Sequence, residues 1–112
     1  MVLFLGSIIK SSTTIFSTDN DFEISNTPKL YQNNPNPFNA STEIKYFIPD
    51  TKVNASINVY NFEGRQLMSY SISHYGSSYI VIQAGEFDAG IYIYNLLVDG
   101  IEIDSKRMIL TK

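Results

Sequence analysis

An Asp-Gly pair near the end of the chain most strongly restricts the folds open to this sequence. Asp99 and Gly100 separate residues 91–98 from residues 101–104, and both runs are rich in β-branched and aromatic side chains. A type I′ turn needs positive φ at two central residues, and Asp-Gly between two such runs is a strong hairpin signal. The sequence therefore predicts a hairpin that runs on to residue 112.

A two-residue turn also fixes which residues of the two strands lie opposite each other. On one face the predicted pairs are Val98 with Ile101, Leu96 with Ile103, Tyr94 with Ser105 and Tyr92 with Arg107. On the other face they are Leu97 with Glu102, Asn95 with Asp104 and Ile93 with Lys106. The first face is the more apolar, so it is expected to point at a core while the second is largely wet.

This strict pairing conflicts with the polarity of two side chains near the end of the hairpin. It places Arg107 on the core face and Met108 on the wet face. A β-bulge near Ser105 and Lys106 would reverse the phase and bury Met108 and Leu110 instead. We favour the bulge, and the exposure of Arg107 and Met108 decides between the two alternatives.

The composition is that of one folded domain with few options for chemistry. The chain has 112 residues, of which 44% are hydrophobic and 13% aromatic, enough for a single core. Its net charge of −3 gives no basic field for nucleic acid, and with no Cys it has no disulfide or thiolate site. No run reaches the roughly 18 apolar residues of a membrane-spanning helix. Residues 1–9 resemble an export signal but lack its basic start and cleavage site, so an upstream remnant is favoured.

Short strand-like runs with turn signals between them continue along the chain. Residues 41–48, 55–60, 65–72 and 79–82 are predicted strands, and Leu67 is expected to point inward. The loop at 83–90 is expected to insert Phe87 into the core. No helical periodicity is present, so the sequence predicts an all-β fold, a small antiparallel Ig-like β-sandwich of about six or seven strands.

Residues 30–39 have the most unusual composition of the chain. Pro35 and Pro37 restrict the backbone, and the neighbouring asparagines can close it with side-chain hydrogen bonds. This pattern predicts a rigid cap that places Leu30 and Phe38 in the core, although a docking loop for a partner is an alternative.

No constellation of residues points to catalysis, a metal or a cofactor. His74 is the sole histidine and lies in a predicted turn without a partner for acid–base chemistry. The glutamates are scattered, and no phosphate loop or zinc spacing occurs. We therefore expect a protein that is not an enzyme. The tyrosines alternate as core and cross-strand residues should, which is favoured over a carbohydrate-stacking platform.

Four segments, in order, closely resemble the type A C-terminal sorting domain of the type IX (Por) secretion system. They are residues 30–46 with the Asn-Pro-Asn-Pro-Phe-Asn run, 58–64 with its terminal glycine, 89–94 with Ala-Gly-Ile-Tyr-Ile-Tyr, and the basic-flanked strand 106–112. The motif residues carried over are Pro35, Asn36, Pro37, Phe38, Asn39, Gly64, Gly90, Tyr92 and Gly100.

The resemblance implies a sorting domain over residues 29–112, preceded by a linker or remnant of upstream cargo over 1–28. Such a domain directs cargo from the periplasm through the outer-membrane translocon of Bacteroidota-type bacteria to the cell surface or medium. A sortase-like peptidase usually removes it, and we expect any cleavage within residues 17–28. The domain is expected to be a monomer that uses no cofactor, binds no nucleic acid and does not insert into the membrane.

Our hypothesis for the surface that the translocon reads is the basic end of the last strand. The candidate residues are Lys106, Arg107, Met108, Ile109, Leu110 and Lys112. The competing interpretation is a carbohydrate- or surface-binding β-sandwich module, which requires several coplanar, exposed tyrosines on one sheet face. A third is a fibronectin-like spacer without a ligand.

Overall fold

The computed structural model describes residues 27–49 and 52–112, and in them it places seven strands and one short 3-10 turn. The predicted linker, up to residue 26, and residues 50 and 51 lie outside the described residues. The strands are β1 Lys29–Leu30, β2 Ser41–Ile48, β3 Ala55–Asn61, β4 Gln66–Ser71, β5 Gly76–Gln83, β6 Gly90–Val98 and β7 Ile101–Leu110. The 3-10 turn spans Ala84–Glu86, between β5 and β6.

The strands form two antiparallel sheets. The three-stranded sheet has the order β1-β2-β5, and the four-stranded sheet has the order β4-β3-β6-β7. β2, β5 and the end of β7 contribute alternate side chains to the space between the sheets, as half-buried strands do. The prediction of a small antiparallel β-sandwich with six or seven strands is confirmed.

The core is built from the side chains that the alternation predicted. In β2 the buried residues are Thr42, Ile44, Tyr46 and Ile48. Leu30 and Phe38 of the predicted cap are buried as well. Phe87, which was expected to insert into the core, is also buried. Leu67 was expected inward but is 38% exposed. A register shift between Val59 and Tyr60 changes the phase of β4 at that point, and this explains the error.

The hairpin of β6 and β7 turns where it was predicted to turn. Asp99 and Gly100 have φ values of 52° and 82°, the positive φ that a type I′ turn requires. Val98 lies opposite Ile101, and Leu97 lies opposite Glu102, as expected.

The hairpin contains a β-bulge, but two residues earlier than predicted. Leu97 lies opposite Glu102 and Leu96 opposite Asp104, which leaves Ile103 as the extra residue. The predicted pairs beyond Leu97 are therefore wrong by one position on β7. The predicted consequence of a bulge is nevertheless confirmed, because Met108 is fully buried and Arg107 is exposed.

Candidate recognition surface around the last strand

Residues 31–39, here called the Asn-Pro segment, lie along the outer edge of β7. Both Asn-Pro peptide bonds of the segment are cis. The amide of Gln32 donates to the Arg107 carbonyl at 2.7 Å, and the Ile109 N–H donates to Asn36 Oδ1 at 2.9 Å. The Phe38 N–H donates to the Ile109 carbonyl at 2.9 Å. The first and last motifs of the sequence therefore form one structural unit.

Tyr94 of β6 anchors the Asn-Pro segment from inside the core. Its hydroxyl donates to the Tyr31 carbonyl and accepts from the Asn33 N–H, both at 2.7 Å. Burial raises the pKa of Tyr94 above its ordinary value, the hydrogen bond from Asn33 opposes this, and the charge of Asp104 adds to it. Asn33 is buried too, and its side-chain amide donates to Thr42 Oγ1 at 3.0 Å. The anchoring groups thus form direct hydrogen bonds with one another.

The six candidate recognition residues do not share one surface. Met108 and Leu110 are core residues, opposite Tyr92 and Gly90 of β6. Arg107 is exposed, and Ile109 is partly buried beside it on the outer face of the sheet. Met108 and Leu110 therefore hold the strand in place, and Arg107 and Ile109, which alternate with them, face outward.

The three basic residues are also separated from one another. Lys106 lies opposite Tyr94, and its Nζ is 3.3 Å from Asp104 Oδ2. Lys112 Nζ donates to the Phe87 carbonyl at 2.7 Å. Within residues 27–49 and 52–112, the Arg107 guanidinium forms no ion pair. Arg107 is therefore the basic group of β7 that is free to meet a partner's charge.

Apolar side chains surround Arg107 and Ile109 on the outer face of the four-stranded sheet. Ile93 lies opposite Arg107, and Ile91 lies opposite Ile109. Phe62, which is 68% exposed, lines a shallow groove of about 290 Å³ together with Ile91. We call these five residues, Phe62, Ile91, Ile93, Arg107 and Ile109, the C-terminal patch.

The apolar part of the C-terminal patch was not predicted from the sequence. Ile93 was expected on the largely wet face of the hairpin, and residue 62 lies between the predicted strands 55–60 and 65–72. The available signal was that residues 91–94 are apolar or aromatic at every position, which makes both faces of this part of the strand apolar. Single surface apolar residues are common, so the signal becomes informative only when the fold brings them together.

Most of the remaining motif residues lie next to this surface. Gly64 closes the β3–β4 turn with a φ of 91°, and its N–H donates to the Asn61 carbonyl. Gly90 and Tyr92 lie opposite Leu110 and Met108 of β7, and the Tyr92 hydroxyl donates to the Asp88 carbonyl. Gly100 is at the other end of the hairpin, in its turn.

The described residues supply no set of groups for metal chemistry. Among them, no cluster of three or more His, Cys, Asp or Glu side chains could hold a metal ion. His74 is exposed, and its ring lies 3.4 Å from Ser73 Oγ. No helix in the described part of the chain is long and apolar enough to cross a membrane.

The tyrosines do not form the platform that a carbohydrate-binding module would require. Tyr46, Tyr92 and Tyr94 are buried, whereas Tyr31 and Tyr79 are 46% and 54% exposed, and two exposed rings do not make a platform of several. Tyr60 and Tyr70, on β3 and β4, are partly buried. The prediction of core and cross-strand roles is the one that the structure supports.

Comparison with known proteins gives one match. Residues 29–111 match the family model described as a secretion system C-terminal sorting domain. No curated protein and no solved structure gave a significant match. The match begins at the first residue of β1 and runs past the last residue of β7, so it covers every strand described above.

Proposed function

Since the chain belongs to the family of secretion system C-terminal sorting domains, we propose that the type IX machinery recognises it at the C-terminal patch. The domain is a C-terminal sorting signal for type IX secretion, which implies contact with that machinery and export to the cell surface or medium. The proposal concerns which surface makes the contact.

One observation carries the proposal: Arg107 and Ile109 face outward from a strand that is otherwise fixed. Met108 and Leu110 hold one face of β7 in the core, and the Asn-Pro segment is bonded to its edge. A surface held in this way loses little conformational entropy when a partner binds. An unpaired guanidinium among apolar side chains is also the kind of centre that contributes most to binding.

The test must separate recognition from folding. Deleting residues 106–112 from a reporter fused to residues 29–112 is expected to abolish export, and undiminished export would contradict the proposal. The deletion also removes Met108 and Leu110 from the core. A loss of export by this variant would therefore not distinguish an unread domain from an unfolded one.

Charge reversal at an outward position makes the distinction. We expect Arg107→Glu to reduce export of the reporter about tenfold, which corresponds to about 1.4 kcal/mol of binding. Arg65→Glu is the matched control, because Arg65 is also exposed but lies outside the patch. Both variants should unfold at the same temperature as the parent. Equal export of the two variants would place recognition elsewhere on the domain.

The partners and compartments proposed are those of the secretion route. The outer-membrane translocon would read the domain in the periplasm of a Gram-negative bacterium of the Bacteroidota type, with the cargo attached in cis. The domain would be a substrate of this system and not a catalyst. A sortase-like peptidase would cut within residues 17–28, and mass spectrometry of released cargo would locate the cut. A cut inside residues 29–112 would contradict this assignment.

A further inference from the structure

The two sheets have four edges among the described residues, and three of them are protected against further strand pairing. β1 has only two residues. The outer edge of β7 is covered by the Asn-Pro segment, and the strand carries charged residues. β4 is interrupted by a register shift opposite Val59 and Tyr60. Short length, coverage, charge and bulges are the devices by which natural sheets block edge-to-edge association.

The fourth edge, β5, has none of these protections. Its eight residues, Gly-Ser-Ser-Tyr-Ile-Val-Ile-Gln, contain no charge and no proline. The register with β2 is unbroken from Ser41–Gln83 to Ile48–Gly76. Tyr79 and Val81 are 54% and 44% exposed on the outer face. A regular, uncharged strand of β-branched and aromatic residues is a template for another strand.

The direction of the backbone groups of β5 follows from the bonds of its neighbours. The Ala84 N–H donates to the Ala40 carbonyl, and Glu43 of β2 bonds to Asn34 on the side away from β5. Backbone groups alternate between the two sides of an antiparallel strand. Even-numbered residues of β5 therefore bond to β2. Ser77, Tyr79, Val81 and Gln83 direct their N–H and C=O groups to the open edge, where no described strand pairs with them.

We propose that the β5 edge is a dimerisation site that pairs antiparallel with β5 of a second copy of this chain. The free backbone groups belong to odd-numbered residues, and the register that pairs the most of them places Ile80 opposite Ile80 and Tyr79 opposite Val81. In this register the free groups of Tyr79 bond to those of Val81, and those of Ser77 bond to those of Gln83. The result is one continuous six-stranded sheet across the two-fold axis.

Side-chain complementarity identifies the second copy as the occupant. The register forms two aromatic–β-branched pairs of Tyr79 with Val81, a combination that stabilises antiparallel sheets. On β2, Glu43 lies beside Val81 and Lys45 beside Tyr79. On the outer face of the joined sheet, neighbouring side chains therefore follow one another across the strands as Glu43 and Val81 of one copy, then Tyr79 and Lys45 of the other. No like charges oppose each other in this arrangement.

The first experiment measures association in solution. Analytical ultracentrifugation of the full 112-residue chain should show a monomer–dimer equilibrium. Val81→Lys should weaken dimerisation at least about tenfold, because it places a charge against the apolar partner strand. Leu67→Lys is the matched control, since Leu67 has similar exposure on the bulged β4 edge, and it should change dimerisation less than about twofold. A monomer at every concentration up to about 1 mM, or equal effects of the two variants, would overturn the proposal.

A second experiment tests the register. The chain has no cysteine, so a single introduced thiol reports only on its own position. In the proposed register Ile80 faces itself in a non-hydrogen-bonded pair with Cα atoms about 4.5 Å apart, within reach of a disulfide. Mild oxidation should link Ile80→Cys into a dimer, whereas the equally half-buried Ile103→Cys should stay monomeric. No crosslink through position 80, or equal crosslinking of both variants, would overturn the register and with it the proposed site.

Neither experiment depends on secretion. Failure of the dimer would leave the recognition of the C-terminal patch unaffected, because β5 and β7 belong to different sheets. Failure of the patch variants in export would likewise leave the association measured in solution unaffected.

Discussion

At the scale of single residues, Tyr94 connects parts of the chain that lie far apart in sequence. It belongs to β6, yet its hydroxyl bonds to the backbone of both Tyr31 and Asn33. Its side chain is fully buried, so these are the partners that satisfy its one donor and one of its acceptor positions. The position of the Asn-Pro segment against the core therefore depends on this hydroxyl group.

Removal of this hydroxyl should cost more stability than its small size suggests. We expect Tyr94→Phe to lower the free energy of unfolding by about 1–3 kcal/mol, because it leaves a carbonyl and an N–H without their partner. Tyr79→Phe is the control, since Tyr79 is exposed and should change stability by less than about 0.5 kcal/mol. Urea unfolding of both variants measures the difference. Equal stability of the two would show that Tyr94 acts only by filling space.

The same tyrosine should make the protein sensitive to alkali. Burial raises the pKa of Tyr94 in the folded protein, whereas a tyrosine hydroxyl in the unfolded chain ionises near pH 10. In the folded state the Tyr94 hydroxyl therefore keeps its proton to a higher pH than in the unfolded state. Its contribution to the free energy of unfolding is fully present below pH 10 and is lost as the pH rises above 10. The slope is at most about 1.4 kcal/mol per pH unit.

The alkaline effect can be assigned to Tyr94 by comparing variants. Urea unfolding at pH 8, 10 and 11 should show a smaller loss of stability in Tyr94→Phe than in the parent. Tyr79→Phe should follow the parent. An identical pH dependence in all three proteins would contradict a role for Tyr94.

At the scale of elements, β7 has two functions on alternate residues. Met108 and Leu110 pack into the core, while Arg107 and Ile109 lie on the outer face. The bulge at Ile103 sets this phase, because without it Arg107 would point inward. One extra residue in the strand therefore decides which side chains a partner can meet.

The two faces of β7 should respond differently to truncation. We expect Met108→Ala to lower the free energy of unfolding by about 2–5 kcal/mol, since it leaves a cavity in the core. Ile109→Ala should cost only about 1 kcal/mol. Thermal unfolding measures both. A larger loss for Ile109→Ala would mean that, in solution, Ile109 faces the core and Met108 faces outward.

The hairpin also illustrates what the sequence could predict. Its turn depends on two adjacent residues with special backbone requirements, so Asp99 and Gly100 were sufficient. The existence of a bulge followed from the polarity of Arg107 and Met108. Its position did not, because an extra residue anywhere between the turn and Lys106 gives the same burial downstream. Local signals determine the turn, whereas the position of the bulge is not fixed by them.

Contacts between distant segments were beyond what residue patterns could predict. The sequence indicated that Phe38 would be buried, but not that its backbone would pair with Leu110 in a parallel bridge. The C-terminal patch is a further case, since Phe62 and Ile91 meet only after β3 and β6 pair. Two of the six candidate residues, Met108 and Leu110, are core residues, because alternation along β7 divides the set between two faces.

At the scale of the whole molecule, the sandwich has a closed side and an open side. The Asn-Pro segment covers β7 next to the short β1, whereas β5 has no such cover within the described residues. The closed side fixes the C-terminal patch, and the open side offers the β5 edge. The two proposed contacts therefore use different sheets and can be tested separately.

The fold should not need the residues that precede it. Among the described residues the first strand begins at Lys29, as the family match does, so residues 29–112 should unfold within about 4 °C of the full chain, less than 1 kcal/mol for this size. Calorimetry of the two proteins makes the comparison. A markedly lower transition for residues 29–112 would place the domain boundary earlier in the chain.

The bridge between Phe38 and Leu110 also bears on how the protein is made. Synthesis proceeds from the N-terminus, so the Asn-Pro segment leaves the ribosome long before the strand on which it rests. A polypeptide that terminates a few codons before Leu110 lacks this partner and the last core side chains of β7. Only a chain translated through Leu110 can complete the domain, so a shorter product would lack the finished sorting signal.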